Sequence, residues 1–318
     1  MEYKIVSKYN KLSLKAFQNL NFFVLTHPFK GNGLIRRIIK KIFYPKIAGP
    51  ILLSTRNNIA LICLNPLNDK GIENFLYFYG TYEAGTLDVM KNCLRQNDTF
   101  LDVGANIGLM SLCASFFVGD KGKIYAFEPE PKIFSIFIQN ISINQRENII
   151  PLNIALGEHK GLGNLYLNPH FGSGSTSLIE PKNMLEHNCI KTRIESMDEV
   201  ISSYKISDIK MIKIDTEGYE ALVLKGAEKL LESNKAPVVC FEYSKHTASF
   251  GNNYMKNMLN FISNINNYKI FKLINGKEIP SPLVEIRSYD DLPVHDNLFC
   301  FLPHHIKEFP SELFLQSF

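Results

Sequence analysis

The chain has 318 residues, 45% hydrophobic and 21% charged, with a net charge of +4; that length and composition suit one large core or a core with an appendage. Six cysteines (Cys63, Cys93, Cys113, Cys189, Cys240, Cys300) form no C-x-x-C pair, which argues against a zinc site or a disulfide framework and for reduced thiols in a cytoplasmic chain. The apolar runs Phe22–Leu25 and Ile47–Leu53 are too short to span a bilayer or to act as the apolar region of a signal peptide.

Charge is distributed unevenly. Residues 3–68 contain eleven Lys or Arg and no Asp or Glu, whereas residues 69–318 contain 24 basic and 30 acidic residues. The N-terminal fifth is therefore a separate electrostatic object, and residues 1–75 are expected to form a basic appendage ahead of a main domain at 76–318. Within it Leu34, Ile35, Ile38, Ile39, Ile42 and Phe43 recur at helical spacing, opposite Arg36, Arg37, Lys40 and Lys41. Pro45 ends this amphipathic helix. It either packs on the core with solvated lysines, or attaches to an acidic partner or an anionic membrane surface. The last reading puts a cytoplasmic protein at the inner membrane surface through residues 30–46.

Pro50–Thr55 and Ile59–Leu64 flank Arg56-Asn57-Asn58 and read as a hairpin. A helix over 82–94 leads into alternating strands (98–103, 123–128, 148–154, 209–215, 236–243) and helices (107–118, 131–143, 219–232, 252–264). An insertion at 157–193, with Gly172-Ser173-Gly174-Ser175-Thr176-Ser177, suits a substrate loop or a plain linker. Tyr268–Ile274, the Asn275-Gly276 turn and Asn297–Leu302 suggest a closing antiparallel unit. Strands alternating with helices imply a doubly wound α/β sheet.

The most informative segment is Phe-Leu-Asp-Val-Gly-Ala-Asn-Ile-Gly at 100–108, followed by Ala126-Phe127-Glu128-Pro129. An apolar run reaches an acid and turns through glycine into a new apolar segment; a second run then ends in another acid, as in a nucleotide-binding α/β unit. The spacing Gly104-x-x-x-Gly108 fails the three-glycine dinucleotide fingerprint, which disfavours a nicotinamide oxidoreductase. S-adenosylmethionine has no phosphate and fits better. Asp102 would reach its ammonium, the Gly104 turn would let backbone approach it, and amides opening the next helix would favour its carboxylate. Glu128 would accept both ribose hydroxyls through its two oxygens.

A second acidic cluster, Asp215-Thr216-Glu217-Gly218-Tyr219-Glu220, follows the fourth strand. Ligands in open α/β sheets lie beyond the carboxyl ends of the strands, so Asp102, Glu128 and Asp215 should edge one crevice, with Glu242 and His246 nearby. Methyl transfer to a hydroxyl needs alignment and removal of a proton. Asp215, Glu217, Glu242 and His246 are the candidate bases, and two or three of these carboxylates would alternatively hold Mg²⁺.

These blocks, with GKIYAFEPEP over 122–131, IKIDTEGYEALVLKGA over 212–227, Gly80-Thr81-Tyr82-Glu83 and Asn153-Ile154-Ala155-Leu156-Gly157, resemble the FkbM-type methyltransferase family over residues 75–245. The resemblance implies a Rossmann-like class I methyltransferase with a mostly parallel seven-stranded sheet and an antiparallel last strand. It implies S-adenosylmethionine as cofactor and O-methylation of a sugar, a glycan or a secondary metabolite. Cofactor roles carry over to Asp102, Gly104, Asn106, Glu128 and Asp215, and within the same blocks to Ala105, Gly108, Pro129, Asn153 and Ala155, with Tyr82 and Glu83 closing over the ligand. Two rival readings stand beside this one. Nucleic-acid methylation is encouraged by the basic arm, but Asn168-Pro169-His170-Phe171 only partly resembles the Asn/Asp-Pro-Pro-aromatic motif of amino-methylating enzymes and lies before the fourth strand, whereas Asp215-Thr216-Glu217-Gly218 holds that motif's place after it. A methyltransferase fold kept as a non-catalytic binding module is the other.

Overall fold

The computed structural model describes residues 4–5, 8–27, 31–42, 51–56, 58–64, 71–167, 176–180, 189–245 and 254–315. The N-terminal part runs β1 (Lys4–Ile5), α1 (Lys8–Thr26), α2 (Asn32–Ile42), β2 (Ile51–Ser54), β3 (Leu61–Leu64) and α3 (Ile72–Tyr79). The expected helix and hairpin are both present, and β1 adds to the hairpin in parallel beside β2. Phe43 and Pro45 lie outside the described residues. The segments α1 and α3 were not anticipated; the buried stripe of α1 is interrupted by Gln18 and Asn21, which blunts its apolar period.

The main sheet has eight strands in the order β13-β12-β14-β11-β10-β4-β5-β6. They are β4 (Thr99–Val103), β5 (Lys123–Phe127), β6 (Ile149–Leu152), β10 (Ile209–Ile214), β11 (Val238–Ser244), β12 (Lys269–Leu273), β13 (Leu283–Glu285) and β14 (His295–Phe301). Neighbours from β6 through β11 are parallel, and β14 is inserted antiparallel between β11 and β12. This is the expected doubly wound sheet, with β13 added at the edge by antiparallel pairing to β12. The residues of β4 and β11 are buried throughout, as strands covered by helices on both faces must be. Those helices are α4 (Ala84–Cys93), α5 (Leu109–Val118), α6 (Pro131–Asn144), α7 (Met197–Tyr204), α8 (Glu220–Lys225), α9 (Glu228–Glu232), α10 (Tyr254–Asn266) and α11 (Pro303–Glu308).

Two expectations need correction. The single helix over 219–232 is broken into α8 and α9 at Gly226-Ala227; the carbonyl of Gly157 lies only 2.0 Å from where a Cβ on Gly226 would stand, so only glycine fits at the break. The insertion is not a plain loop: β8 (Gly161–Tyr166) pairs antiparallel with β9 (Cys189–Ser196), and β7 (Ala155–Gly157) lies parallel to β9. Most of the glycine-serine run falls outside the described residues; Thr176 and Ser177 are described, and Ser177 bridges to Tyr166.

The appendage is tied to the main sheet's helices. Asn144 accepts from the Leu61 amide at 2.7 Å and donates to the Leu61 carbonyl at 2.6 Å. Fully buried Asn140 accepts from the Cys63 amide at 2.8 Å and donates to the Ile107 carbonyl at 2.8 Å, linking β3 to the loop after β4. Residue 75, where composition suggested a boundary, lies inside α3; buried Leu76 and Phe78 share one cluster with Phe100 and Phe301.

Candidate active site

In the parallel register Val103 pairs with Phe127 and with Ile214, and Ile214 with Phe241. The next residue on each strand is therefore Gly104, Glu128, Asp215 and Glu242, one row along the carboxyl edge at the point where strand order reverses. Asp102 stands two residues below that rim, opposite Lys213.

The loop after β4 alternates through positive φ at Gly104 (+84°), Asn106 (+51°) and Gly108 (+89°). The sequence reading assigned Gly104 to close approach of a ligand. Its conformation answers a protein contact as well: a Cβ there would meet the Asp215 carbonyl oxygen at 1.8 Å. Gly108 is needed because the Phe137 ring lies 2.1 Å from its Cβ position. The Gly104 and Ala105 amides both donate to the Phe127 carbonyl at 2.9 Å. The Asn106 amide donates to Glu128 Oε2 at 2.8 Å and the Glu130 amide to Glu128 Oε1 at 2.9 Å. Burial nevertheless pushes the Glu128 carboxyl up to about 7. Asn153 donates to the carbonyls of Glu128 and Pro129, at 2.8 and 3.1 Å, and braces the chain leaving β5.

A cleft of about 500 Å³ opens at this edge. Gly104, Asn106, Glu128, Pro129, Ala155, Asp215 and Glu217 line it, together with apolar Phe127, Ile154 and Leu156. Leu165, Thr176 and Leu178 roof it from the insertion. Asp102 is outside this lining: it is 1% exposed and accepts from the Ser111 hydroxyl at 2.6 Å. Ala105 and Gly108 face helix packing, Asn153 is a brace, and His246 lies outside the described residues.

Beyond β10 the turn is shaped by Glu220, the member of the second acidic cluster to which the sequence assigned no role. One oxygen of this buried carboxyl accepts from the Thr216 amide at 2.9 Å, the Thr216 hydroxyl at 3.1 Å and the Gly218 amide at 3.1 Å. The turn holds Glu217 at φ +54°, a conformation that strains a side-chain-bearing residue. The Ser177 hydroxyl donates to the Glu217 carbonyl at 2.8 Å, fastening the roof to the same turn.

Carboxylate oxygens of Asp215, Glu217 and Glu242 all lie within 4.8 Å of one another. Two lysines that the motifs did not single out serve this cluster. Lys213 Nζ sits 2.7 Å from Asp215 and 3.8 Å from Glu83. Lys277 Nζ sits 2.7 Å from Glu242 and 3.0 Å from Glu83. Burial opposes both ammonium charges, but the surrounding carboxylates raise both well above the ordinary lysine range. Glu83 is fully buried between them and accepts from Asn297 Nδ2 at 2.8 Å. It belongs to this ion lattice and not to the cleft lining; Tyr82 beside it is half-buried with its ring edge-on to Phe75 at 5.5 Å.

The three acids separate in proton affinity. Burial works against ionisation of Asp215, yet Lys213 and Lys277 hold its carboxyl below the usual range. Burial, then the neighbouring Asp215 and Glu242 charges, pushes Glu217 up to about 9. Burial and Asp215 push Glu242 up to about 7, with Lys277 pulling it down. Such divergence among adjacent carboxyls is a mark of acid–base sites.

A glycine-turned loop after the first core strand, an acid row along the carboxyl edge and an antiparallel β14 define a Rossmann-like protein of the class I methyltransferase fold. Residues 102–270 match the family model of the methyltransferase FkbM domain, and the chain belongs to that family. It is similar to the hexuronic acid methyltransferase AglP of Haloferax volcanii, 31% identical over 152 residues, 47% of this chain and 59% of the relative. It is also similar to methyltransferase sdnD of Sordaria araneosa, 27% identical over 163 residues, 43% of this chain and 62% of the relative. The matched regions thus span about three fifths of these curated relatives, 59% and 62%. A crystal structure of methyltransferase FkbM from Methylobacillus flagellatus superposes with TM-score 0.41 and 16% identity, covering 71% of this chain and 52% of that one.

Proposed function

We infer that this protein transfers a methyl group from S-adenosylmethionine to a hydroxyl, on a sugar, a glycan or a secondary metabolite. The observation that carries the reading is the pairing of two walls in one cleft. One wall is a carboxylate gripped by two amides beside apolar Phe127, Pro129, Ile154 and Leu156; the other is an acid cluster of graded proton affinity. These residues fit the cofactor. Glu128 offers two oxygens to a ribose diol, the apolar residues suit a flat base, and ionised Asp215 suits a positive charge.

The cofactor supplies a methyl group already activated on a positively charged sulfur. The chain must then align the acceptor in line and accept its proton. Glu217, pushed up to about 9 by burial and by the Asp215 and Glu242 charges, with Lys277 only partly offsetting them, holds a proton at neutral pH. A cation in the cleft lowers that affinity, so the carboxyl gives its proton up to solvent and, as a carboxylate, can accept the proton of the acceptor hydroxyl. Asp215, kept ionised by Lys213, orients the positive charge and is the second candidate base. A hydroxyl on a uronic acid or related sugar fits the name of the Haloferax relative. Mg²⁺ on the Asp215, Glu217 and Glu242 oxygens is the alternative use of the trio. Against it, Lys213 and Lys277 already supply counter-charge to two of the three.

The test is transfer of labelled methyl to a glycan and small-hydroxyl panel, with Mg²⁺ and with EDTA. Glu217→Gln is expected to keep S-adenosylhomocysteine binding and lose roughly 10²- to 10⁴-fold in turnover. Full turnover in that variant would show that Glu217 is not the base. Loss of turnover in EDTA would favour the metal use.

A further inference from the structure

The packed-helix reading of α2 accounts for only one edge of the helix. Ile39 is buried, and Asn32 donates to the Val24 carbonyl of α1 at 2.7 Å, so that edge rests on α1. Leu34, Ile35 and Ile38 remain 63%, 38% and 47% exposed. They sit at i, i+1 and i+4, within one arc of the helix, and Arg37 and Lys41 are exposed on the adjoining arc. Neighbouring α1 adds exposed Leu20 and Phe23. No acid occurs between residues 3 and 68, against eleven basic residues.

We propose that α2, with the adjoining end of α1, is a docking surface for an anionic phospholipid bilayer. Leu34, Ile35 and Ile38 enter the acyl boundary, and Arg37 and Lys41 meet the phosphates. Both halves of the pattern are needed to choose this occupant. A polyanion such as RNA would use the cations but leave three large apolar side chains in water. A second copy docking through the same segment would cover the apolar arc but bring together two stretches of eleven basic residues with no acid in either, which repel. An anionic bilayer satisfies the apolar arc and the charge together. The proposed attachment is peripheral, and among the described residues no helix is long and apolar enough to cross a membrane. Docking of this kind would hold the cleft beside lipid-linked or membrane-proximal acceptors.

The test is co-sedimentation of the full chain with vesicles of phosphatidylcholine alone or mixed with phosphatidylglycerol. Three forms are compared: the natural chain, L34S/I38S and R37E/K41E. The natural chain is expected to bind the anionic vesicles, and each double variant to bind about tenfold more weakly or worse. S-adenosylhomocysteine binding, read on the same samples, should stay unchanged and so establish that both variants are folded. Equal binding to neutral vesicles, or undiminished binding by either variant, would overturn the proposal. So would a natural-chain dimer in light scattering that L34S/I38S dissociates, or RNA binding that R37E/K41E abolishes while L34S/I38S leaves vesicle binding intact.

Discussion

Replacing Lys277 with methionine keeps most of the side chain's length and volume but removes its ammonium from between two buried carboxyls. Glu83 loses a partner at 3.0 Å and keeps Lys213 at 3.8 Å and the Asn297 amide; Glu242 loses its 2.7 Å partner and keeps His295 at 3.3 Å. Removing one side of a buried ion pair costs about 3–5 kcal/mol, because the remaining charge is left uncompensated. At roughly 2 °C per kcal/mol for a chain of this size, the melting temperature should fall by about 6–10 °C near pH 8. The pH dependence has a definite sign. Glu242 has its folded pKa raised to about 7, above the unfolded value, so its contribution is present at low pH and is lost as pH rises through 7. Without Lys277 that pKa rises further, and the carboxyl escapes the penalty by protonating. The deficit of the variant should therefore shrink between pH 8 and pH 6. Thermal unfolding followed by circular dichroism at both values decides it. A fall under about 2 °C, or a deficit larger at pH 6, would refute the view that Lys277 compensates these acids.

Two further substitutions probe the scaffold. Gly104→Ala should lose roughly 2–5 kcal/mol, from the +84° backbone and the overlap with the Asp215 carbonyl, and should weaken S-adenosylhomocysteine binding measured in parallel. A variant as stable as the natural chain would mean that the loop relaxes freely. Asn140→Ala should lose about 2–4 kcal/mol by orphaning the buried Cys63 amide and Ile107 carbonyl, while Asn144→Ala, whose bonds to Leu61 are exposed, should lose about 1 kcal/mol or less. Equal losses in thermal unfolding would show that the link from β3 to the glycine loop is not a buried anchor.

What local pattern could reveal, it did: the βα alternation, the Gly104 loop and the strand-end acids Glu128, Asp215 and Glu242 all rest on short-range signals. What it missed is long-range. Lys277 enters the cluster because its carbonyl accepts from the Gly85 and Thr86 amides at the start of α4, a contact across nearly 200 positions that no local window contains. Lys213 carried a readable clue, since a charged residue set among Met211, Ile212 and Ile214 must find a buried partner. The break in the 219–232 helix falls where Gly226 meets the distant Gly157 carbonyl, and β8 begins Gly-Leu-Gly, a composition that hides a strand. Glu83 and Asp102 were legible as acids near the site, but burial places them in ion and hydroxyl contacts behind the cleft wall.

The central claim is that the cleft built on Glu128 holds S-adenosylmethionine. Calorimetric titration of the full chain with S-adenosylhomocysteine, with NAD as control and Glu128→Ala alongside, tests it most directly. Micromolar binding of S-adenosylhomocysteine alone is expected, abolished in Glu128→Ala. Comparable binding of NAD, or affinity for S-adenosylhomocysteine unchanged in the variant, would contradict it.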